Sequence, residues 1–239
     1  MPSRAAFVRF LREADVLRSL DHPHIVRFQA MGESAGQLWF AMDFVDGPDL
    51  QRLVDKRGPL EVPVAVRMAR QLLDALDHAH HRGFVHRDVK PTNLMLQRTG
   101  ANKVSLRLTD FGLARTYQAS RISGLTQVGE SGGTPRYMPP EQVQGFKDAT
   151  PKSDQYSAAA TLYFLLTGKT VYNSAGSVQA AYIQILTEDP VPVRSRRPEL
   201  PEALAAVIHR GLARQPADRY PDAASLARAL EPFMSASGG

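Results

Sequence analysis

The sequence predicts an α+β fold, a small strand-bearing N-terminal piece followed by a large helical one, and three observations predict it. Residues 25–31 and 37–45 are rich in β-branched and aromatic side chains, with Gly32-Glu33-Ser34-Ala35-Gly36 between them as a hairpin loop. Val62, Val66, Ala69, Leu73 and Leu76 alternate steps of four and three, the spacing of one helix face. Residues 156–166 are almost continuously apolar but span only about half of the ~20 residues a bilayer crossing needs, so they read as a buried helix.

Each element follows in order. Residues 3–20 carry Phe7, Phe10, Leu11, Ala14 and Leu17 at helical spacing. Asp21-His22-Pro23 ends that helix, because proline disfavours the helical conformation of the residue before it. Glu13 lies three residues after Phe10 and four before Leu17, which lets it point to the inner face. After the two strands, Asp46-Gly47-Pro48 breaks the pattern and marks a boundary. A short helix over 49–55 and a long one over 61–82 follow, the second capped by Gly83. Ser153 is the expected cap of the buried helix ending near Gly168, and three further helices fall at 177–187, 201–214 and 222–233. The last five residues, 235–239, have flexible-linker composition.

Composition bounds the chemistry. With 239 residues, 43% of them apolar and 22% charged, the chain is long enough for one large domain or two lobes with real cores, and disorder is excluded as the default. It has no cysteine, which excludes a disulfide framework and a thiolate zinc site and favours a reducing, cytoplasmic location. The net charge of +5 comes from 29 Lys and Arg spread along the chain without a like-charge block, so no nucleic acid partner is expected. Arg4, Arg9 and Arg12 interrupt the apolar residues near the N-terminus, leaving no signal-peptide core, and no membrane segment is expected in this chain.

Chemistry concentrates in two motifs. His86-Arg87-Asp88-Val89-Lys90-Pro91-Thr92-Asn93 is followed by Asp110-Phe111-Gly112. Moving a phosphoryl group from a nucleotide to a hydroxyl needs in-line positioning, a cation against the phosphates and a place for the hydroxyl proton. Asp88 suits the proton, Lys90 the phosphoryl group, and Asn93 with Asp110 offers the oxygen ligands that Mg2+ prefers. His78, His80 and His81 stand near His86 but lack the H-E-x-x-H arrangement, so they read as helix-end residues and not as a metal site.

In order and spacing, these motifs resemble the eukaryotic-like (Hanks-type) serine/threonine protein kinase catalytic domain, and the resemblance runs along essentially the whole chain. It implies a bilobal protein kinase-like fold: a partial N-lobe over 1–45 ending in the hinge, a complete, mainly helical C-lobe over 46–234, and a flexible tail over 235–239. It also implies ATP and Mg2+ as cofactors and Ser/Thr hydroxyls of proteins as substrates. Within it, Glu13 is the helix glutamate of the nucleotide site, and Met42-Asp43-Phe44-Val45 is the segment joining the lobes, with Met42, Asp43, Val45 and Met95 lining the adenine. Asp88 is the base, Lys90 the phosphate-side cation, and Asn93 and Asp110 the metal ligands, with His86 packing beneath Phe111. Gly133-Thr134-Pro135-Arg136-Tyr137-Met138-Pro139-Pro140-Glu141 ends the activation segment, and Arg219 pairs with Glu141. Lys90 together with Thr134 resembles the Ser/Thr branch and not the tyrosine-directed one. Arg87 is placed to bind a phosphate on the activation segment, with Thr126 the first candidate for modification and Ser123 and Ser131 weaker ones.

The sequence departs from that pattern at its start. No G-x-G-x-x-G precedes Glu13, and the first lysine is Lys56, beyond the hinge. Two expectations stand side by side. One is an N-terminally truncated kinase domain, its glycine-rich loop and lysine lying upstream in a longer protein, membrane-anchored or not, with little activity in this piece alone. The other is a pseudokinase or protein-interaction module without phosphotransfer.

Overall fold

In the computed structural model, which describes residues 18–34, 37–100, 103–110, 135–145, 149–173 and 176–235, the first regular pair is an antiparallel ribbon of β1 (Phe28–Ser34) and β2 (Gln37–Met42). The helix expected over 3–20 lies outside the described residues except for its last three. The ribbon corrects the expected hairpin: Gly32, Glu33 and Ser34 belong to β1, which pairs as far as Ser34 with Gln37. The indole of Trp39, itself 45% exposed, lies over Gly32, so a side chain there would have to displace it. At the other end, residues 24–26 do not start β1. Val26 N–H donates to the Leu108 carbonyl at 2.9 Å and Leu108 N–H to that of His24 at 2.8 Å, joining this segment to a strand far along the chain.

That strand belongs to a second ribbon, β3 (Leu94–Arg98) against β4 (Val104–Leu108), which the sequence pattern did not announce. Its residues alternate buried and open, with Leu94, Leu96, Leu106 and Leu108 inward, but both strands are five residues long and lean on leucine, a weak β former.

The helices follow their caps. α1 (Leu50–Arg57) starts where Asp49 Oδ1 accepts the Arg52 N–H at 2.8 Å. α2 (Val62–His81) buries Val66, Ala69, Leu72, Leu73, Leu76 and Ala79 and ends at Arg82, with Gly83 at positive φ. After the short α3 (Pro140–Gln144) comes α4 (Pro151–Thr167), buried at every position from 153 to 167. Its cap is Thr150 and not Ser153. Pro151 takes the first helical position, where its missing N–H costs nothing, and Ser153 returns as the third residue, its hydroxyl accepting the Thr150 N–H at 3.1 Å. Gly168, at φ 65°, turns the chain out of the helix. α5 (Val178–Thr187), α6 (Val193–Arg196), α7 (Glu202–Gly211) and α8 (Ala223–Leu230) complete the described helices. α4 packs on α2 and α7, and α8 closes on α2. No described helix is long and apolar enough to cross a membrane.

Candidate active site

The loop after α2 is held from below by one carboxylate. Asp154, 1% exposed in the first turn of α4, accepts the backbone N–H of His86 on Oδ2 and of Arg87 on Oδ1, each at 2.8 Å. His80 Nε2, from the last turn of α2, meets the same Oδ2 at 2.8 Å. A buried carboxylate costs several kcal/mol unless its lone pairs are filled, and three donors fill them here. Arg87 is also gripped from the other side, where Gln142 Nε2 donates to its carbonyl at 2.7 Å. These bonds hold Arg87 at φ 67°, a left-handed conformation that costs a side-chain-bearing residue about 1–2 kcal/mol.

His86 carries that fixed backbone to the chemical groups. Its Nε2 lies 3.0 Å from the Thr109 carbonyl and must donate, while its Nδ1 accepts the Asp88 N–H at 3.2 Å. The ring is therefore neutral with the proton on Nε2. Complete burial pushes its pKa down, and this outweighs the upward pull of Asp154, the Thr109 carbonyl, Asp88 and Asp110. One imidazole thus fixes the distance between Asp88 and the strand end that leads to Asp110.

Above this base the polar side chains converge. Lys90 Nζ donates to Asp88 Oδ2 at 2.8 Å. Asn93, 4% exposed on a 3-10 turn (Pro91–Asn93), donates its Nδ2 to the Asp88 carbonyl at 2.9 Å and reaches Oδ2 at 3.3 Å. Thr109 N–H donates to the Asn93 carbonyl at 3.0 Å, which sets Asn93 beside Asp110, itself at φ 58° and exposed. The Asn93 amide oxygen and the Asp110 carboxylate are hard donors. Two such oxygens suit Mg2+, which binds one or two protein ligands and completes its shell with water and phosphate. The described residues hold no group of three or more His, Asp or Glu that would form a cage of their own.

The structure brings Asp88, Lys90, Asn93 and Asp110 to one place and sets the hinge segment at its edge. Thr109 Oγ1 lies 4.0 Å from Met42 Sδ. Asp43 N–H donates to the Arg27 carbonyl at 2.9 Å, and its carboxylate accepts from Gln29 Nε2. Met95 bridges to Asp49 through its backbone. Glu13, Phe111, Gly112, Thr126 and Thr134 lie outside the described residues. The three helix-end histidines part company: His80 turns to Asp154, His81 Nδ1 to the Asp77 carbonyl at 2.8 Å, and His78 Nδ1 lies 3.2 Å from Arg82 Nη1.

Below the loop, Arg219 and Glu141 form a bidentate pair at 2.8 and 2.9 Å, with the guanidinium also bonded to the carbonyls of Lys152, Ala213 and Arg214. Burial pushes the Glu141 carboxyl up, but hydrogen bonds and charge from Arg219 more than cancel this and leave it below the usual range.

Sequence reasoning missed the parts played by Asp154, His80 and Gln142. Their sequence signals are weak: Asp154 stands among polar residues two positions before the apolar run at 156–166, where a carboxylate is ordinary.

The family model for the protein kinase domain matches residues 3–229. The chain belongs to the protein kinase family. This kinase domain is 39% identical over 232 residues to the serine/threonine-protein kinase PknF of Mycobacterium tuberculosis, covering 96% of this chain and 48% of that protein. It is 40% identical over 224 residues to the serine/threonine-protein kinase PkaA of Streptomyces coelicolor, covering 93% and 39%. The chain thus spans about half the length, or less, of these curated relatives. Among solved structures, the PknI kinase domain of M. tuberculosis superposes with a TM-score of 0.74 at 30% identity, covering 98% of this chain and 80% of that one. Rad53 in complex with AMP-PNP gives 0.76 at 27% identity, covering 95% and 54%.

Proposed function

We propose that this kinase domain transfers the γ-phosphate of ATP to Ser and Thr hydroxyls of protein substrates in the cytoplasm. The observation that supports it most directly is the convergence of Lys90 and Asn93 on the Asp88 carboxylate, on a loop whose backbone Asp154 and Gln142 hold from both sides. Asp88, 18% exposed at its side chain, orients the substrate hydroxyl and receives its proton as the hydroxyl oxygen bonds to the γ-phosphorus and the bond to the β-γ bridging oxygen breaks. Lys90 stands against the charge on the transferred group. Asn93 and Asp110 would hold Mg2+, which neutralises phosphate charge when bound. Met42, Asp43, Val45 and Met95 line the adenine. Arg87, whose Nε is buried with no partner among the described residues, supports a reading in which a phosphorylated activation segment, at Thr126 or near Thr134, docks on it.

Transfer by these 239 residues is slow, because the sequence offers no lysine before Lys56 to join Glu13 at the nucleotide phosphates. The test is phosphate incorporation into Ser, Thr and Tyr peptides at ~5 mM MgATP, above the ordinary KM range. Slow labelling of Ser and Thr peptides is expected, with none of Tyr. Asp88→Asn should lower it ~10²–10⁴-fold, the usual worth of a general base, with an unchanged circular dichroism spectrum. Unchanged turnover in that variant would remove Asp88 as the base. No transfer by the parent chain would remove the expectation of slow turnover by these residues.

A further inference from the structure

The chain leaving the hinge segment crosses β3 with no room for a side chain. Gly47 N–H donates to the Val45 carbonyl at 3.1 Å, and a Cβ placed on Gly47 would stand 1.8 Å from the Leu96 carbonyl oxygen and 3.0 Å from its carbon. Both partners are backbone, so neither can rotate away. The φ of Gly47 is not in the left-handed region, so only this contact opposes a larger residue. Separation to an ordinary carbon–oxygen distance requires a shift of more than about 1 Å, since interiors are close-packed and have few voids to absorb it.

The crossing is stitched on either side. Leu96 N–H donates to the Pro48 carbonyl at 3.0 Å, and Asp49 bridges to Met95. β3 itself follows directly on Asn93. The segment that carries Val45 is therefore registered against the strand that carries Met95 and continues from Asn93, and at Gly47 the two backbones leave no space for a Cβ.

We infer that Gly47 is a positioning residue for the nucleotide: its bare α-carbon sets the spacing between the hinge residues Met42, Asp43 and Val45 and the Met95 side of the adenine slot. This rests on the adenine-site reading above. Its consequence is specific, because a hydrogen bond to the adenine edge and contact with its face must be satisfied together, and a shift of about 1 Å breaks that coincidence.

The test compares Gly47→Ala with Gly211→Ala, whose Cβ would meet that of Ala159 at 2.7 Å in the packing of α7 on α4. Both variants crowd the fold, but only the first lies at the hinge. MgADP is titrated to ~20 mM against the unfolding temperature, which reports the dissociation constant by mass action. Gly47→Ala is expected to weaken MgADP about tenfold or more, and to speed hydrogen exchange at the Leu96 N–H. Gly211→Ala is expected to lower the unfolding temperature and leave affinity within about twofold. Unchanged affinity in Gly47→Ala overturns the inference, as does an equal loss in Gly211→Ala. A parent chain that MgADP fails to protect at any concentration overturns the adenine-site reading itself.

Discussion

Arg219 has no exposed side-chain surface and satisfies its donors through Glu141 and three carbonyls, with the Tyr156 ring 5.0 Å from its guanidinium carbon. Its removal leaves the partly buried Glu141 carboxylate beside Ser153 without that counter-charge. Arg219→Leu should therefore cost ~3–5 kcal/mol, the usual price of breaking a buried pair from one side. For a chain of this size that is a fall of about 10 °C in the unfolding temperature. Calorimetry of Arg219→Leu with Glu141→Leu should recover much of the loss, because replacing both partners removes the orphaned charge. A double variant no more stable than the single one would mean that packing and not charge is at stake. At this scale the sequence spoke unevenly. Asp88, Lys90, Asn93 and Asp110 were singled out because the proposed phosphoryl transfer calls for those groups, and Lys90 and Asn93 do meet at Asp88. Asp154 was not, because its partners are backbone N–H groups 67 and 68 residues away, which no side-chain pattern encodes.

Among the elements, helices with polar caps were placed closely, as Asp49 and Ser177 show, since the cap is a local side-chain bond. β3 and β4 escaped because their stability comes from burial beneath the loop and not from β-branched residues. The turn at residues 21–24 shows a further effect of packing. The His22 and His78 rings lie 4.8 Å apart, and His22 Nδ1 accepts the His24 N–H at 3.2 Å. Burial first, then the neighbouring His78, His24, Arg107 and Arg82, push the His22 pKa down to about 4. A folded pKa below the unfolded one means that the unfolded chain binds the proton first. The contribution is complete above the unfolded value of 6.5 and is lost as pH falls from there to about 4. Because His22 keeps part of its surface in water, solvent screening limits the effect to ~1 kcal/mol at most. Unfolding temperatures measured from pH 7.0 to 4.5 should fall less steeply in His22→Asn than in the parent chain. Parallel curves would exclude His22 as the titrating group.

For the whole molecule, the sequence made the α+β division and the helical majority legible, since amphipathic spacing and one buried helix announce a large α core. The stitching of residues 24–26 to β4 was hidden, because it joins segments more than eighty residues apart. That stitching decides how the nucleotide would be held. Met42 reaches Thr109, a Cβ on Gly47 would press on Leu96, and the Thr109 N–H joins the Asn93 carbonyl, so the described residues proposed to meet a nucleotide are tied to one another through β3 and β4. Lys56 is the first lysine in the sequence and lies in α1, past the hinge. In the proposed nucleotide site, Lys90 and the Mg2+ that Asn93 and Asp110 would hold supply charge against the triphosphate. We expect a dissociation constant for MgATP of ~1 mM, about −4 kcal/mol, in isothermal titration. At ten times that concentration, binding should raise stability by ~1.4 kcal/mol and the unfolding temperature by a few degrees. Asp110→Asn should remove most of the gain from MgATP while leaving that from metal-free adenosine intact, because the carboxylate acts through the metal and the hinge through the base. Micromolar binding of MgATP by the parent chain would contradict this division, showing that the phosphates are held by more than Lys90 and two oxygen ligands.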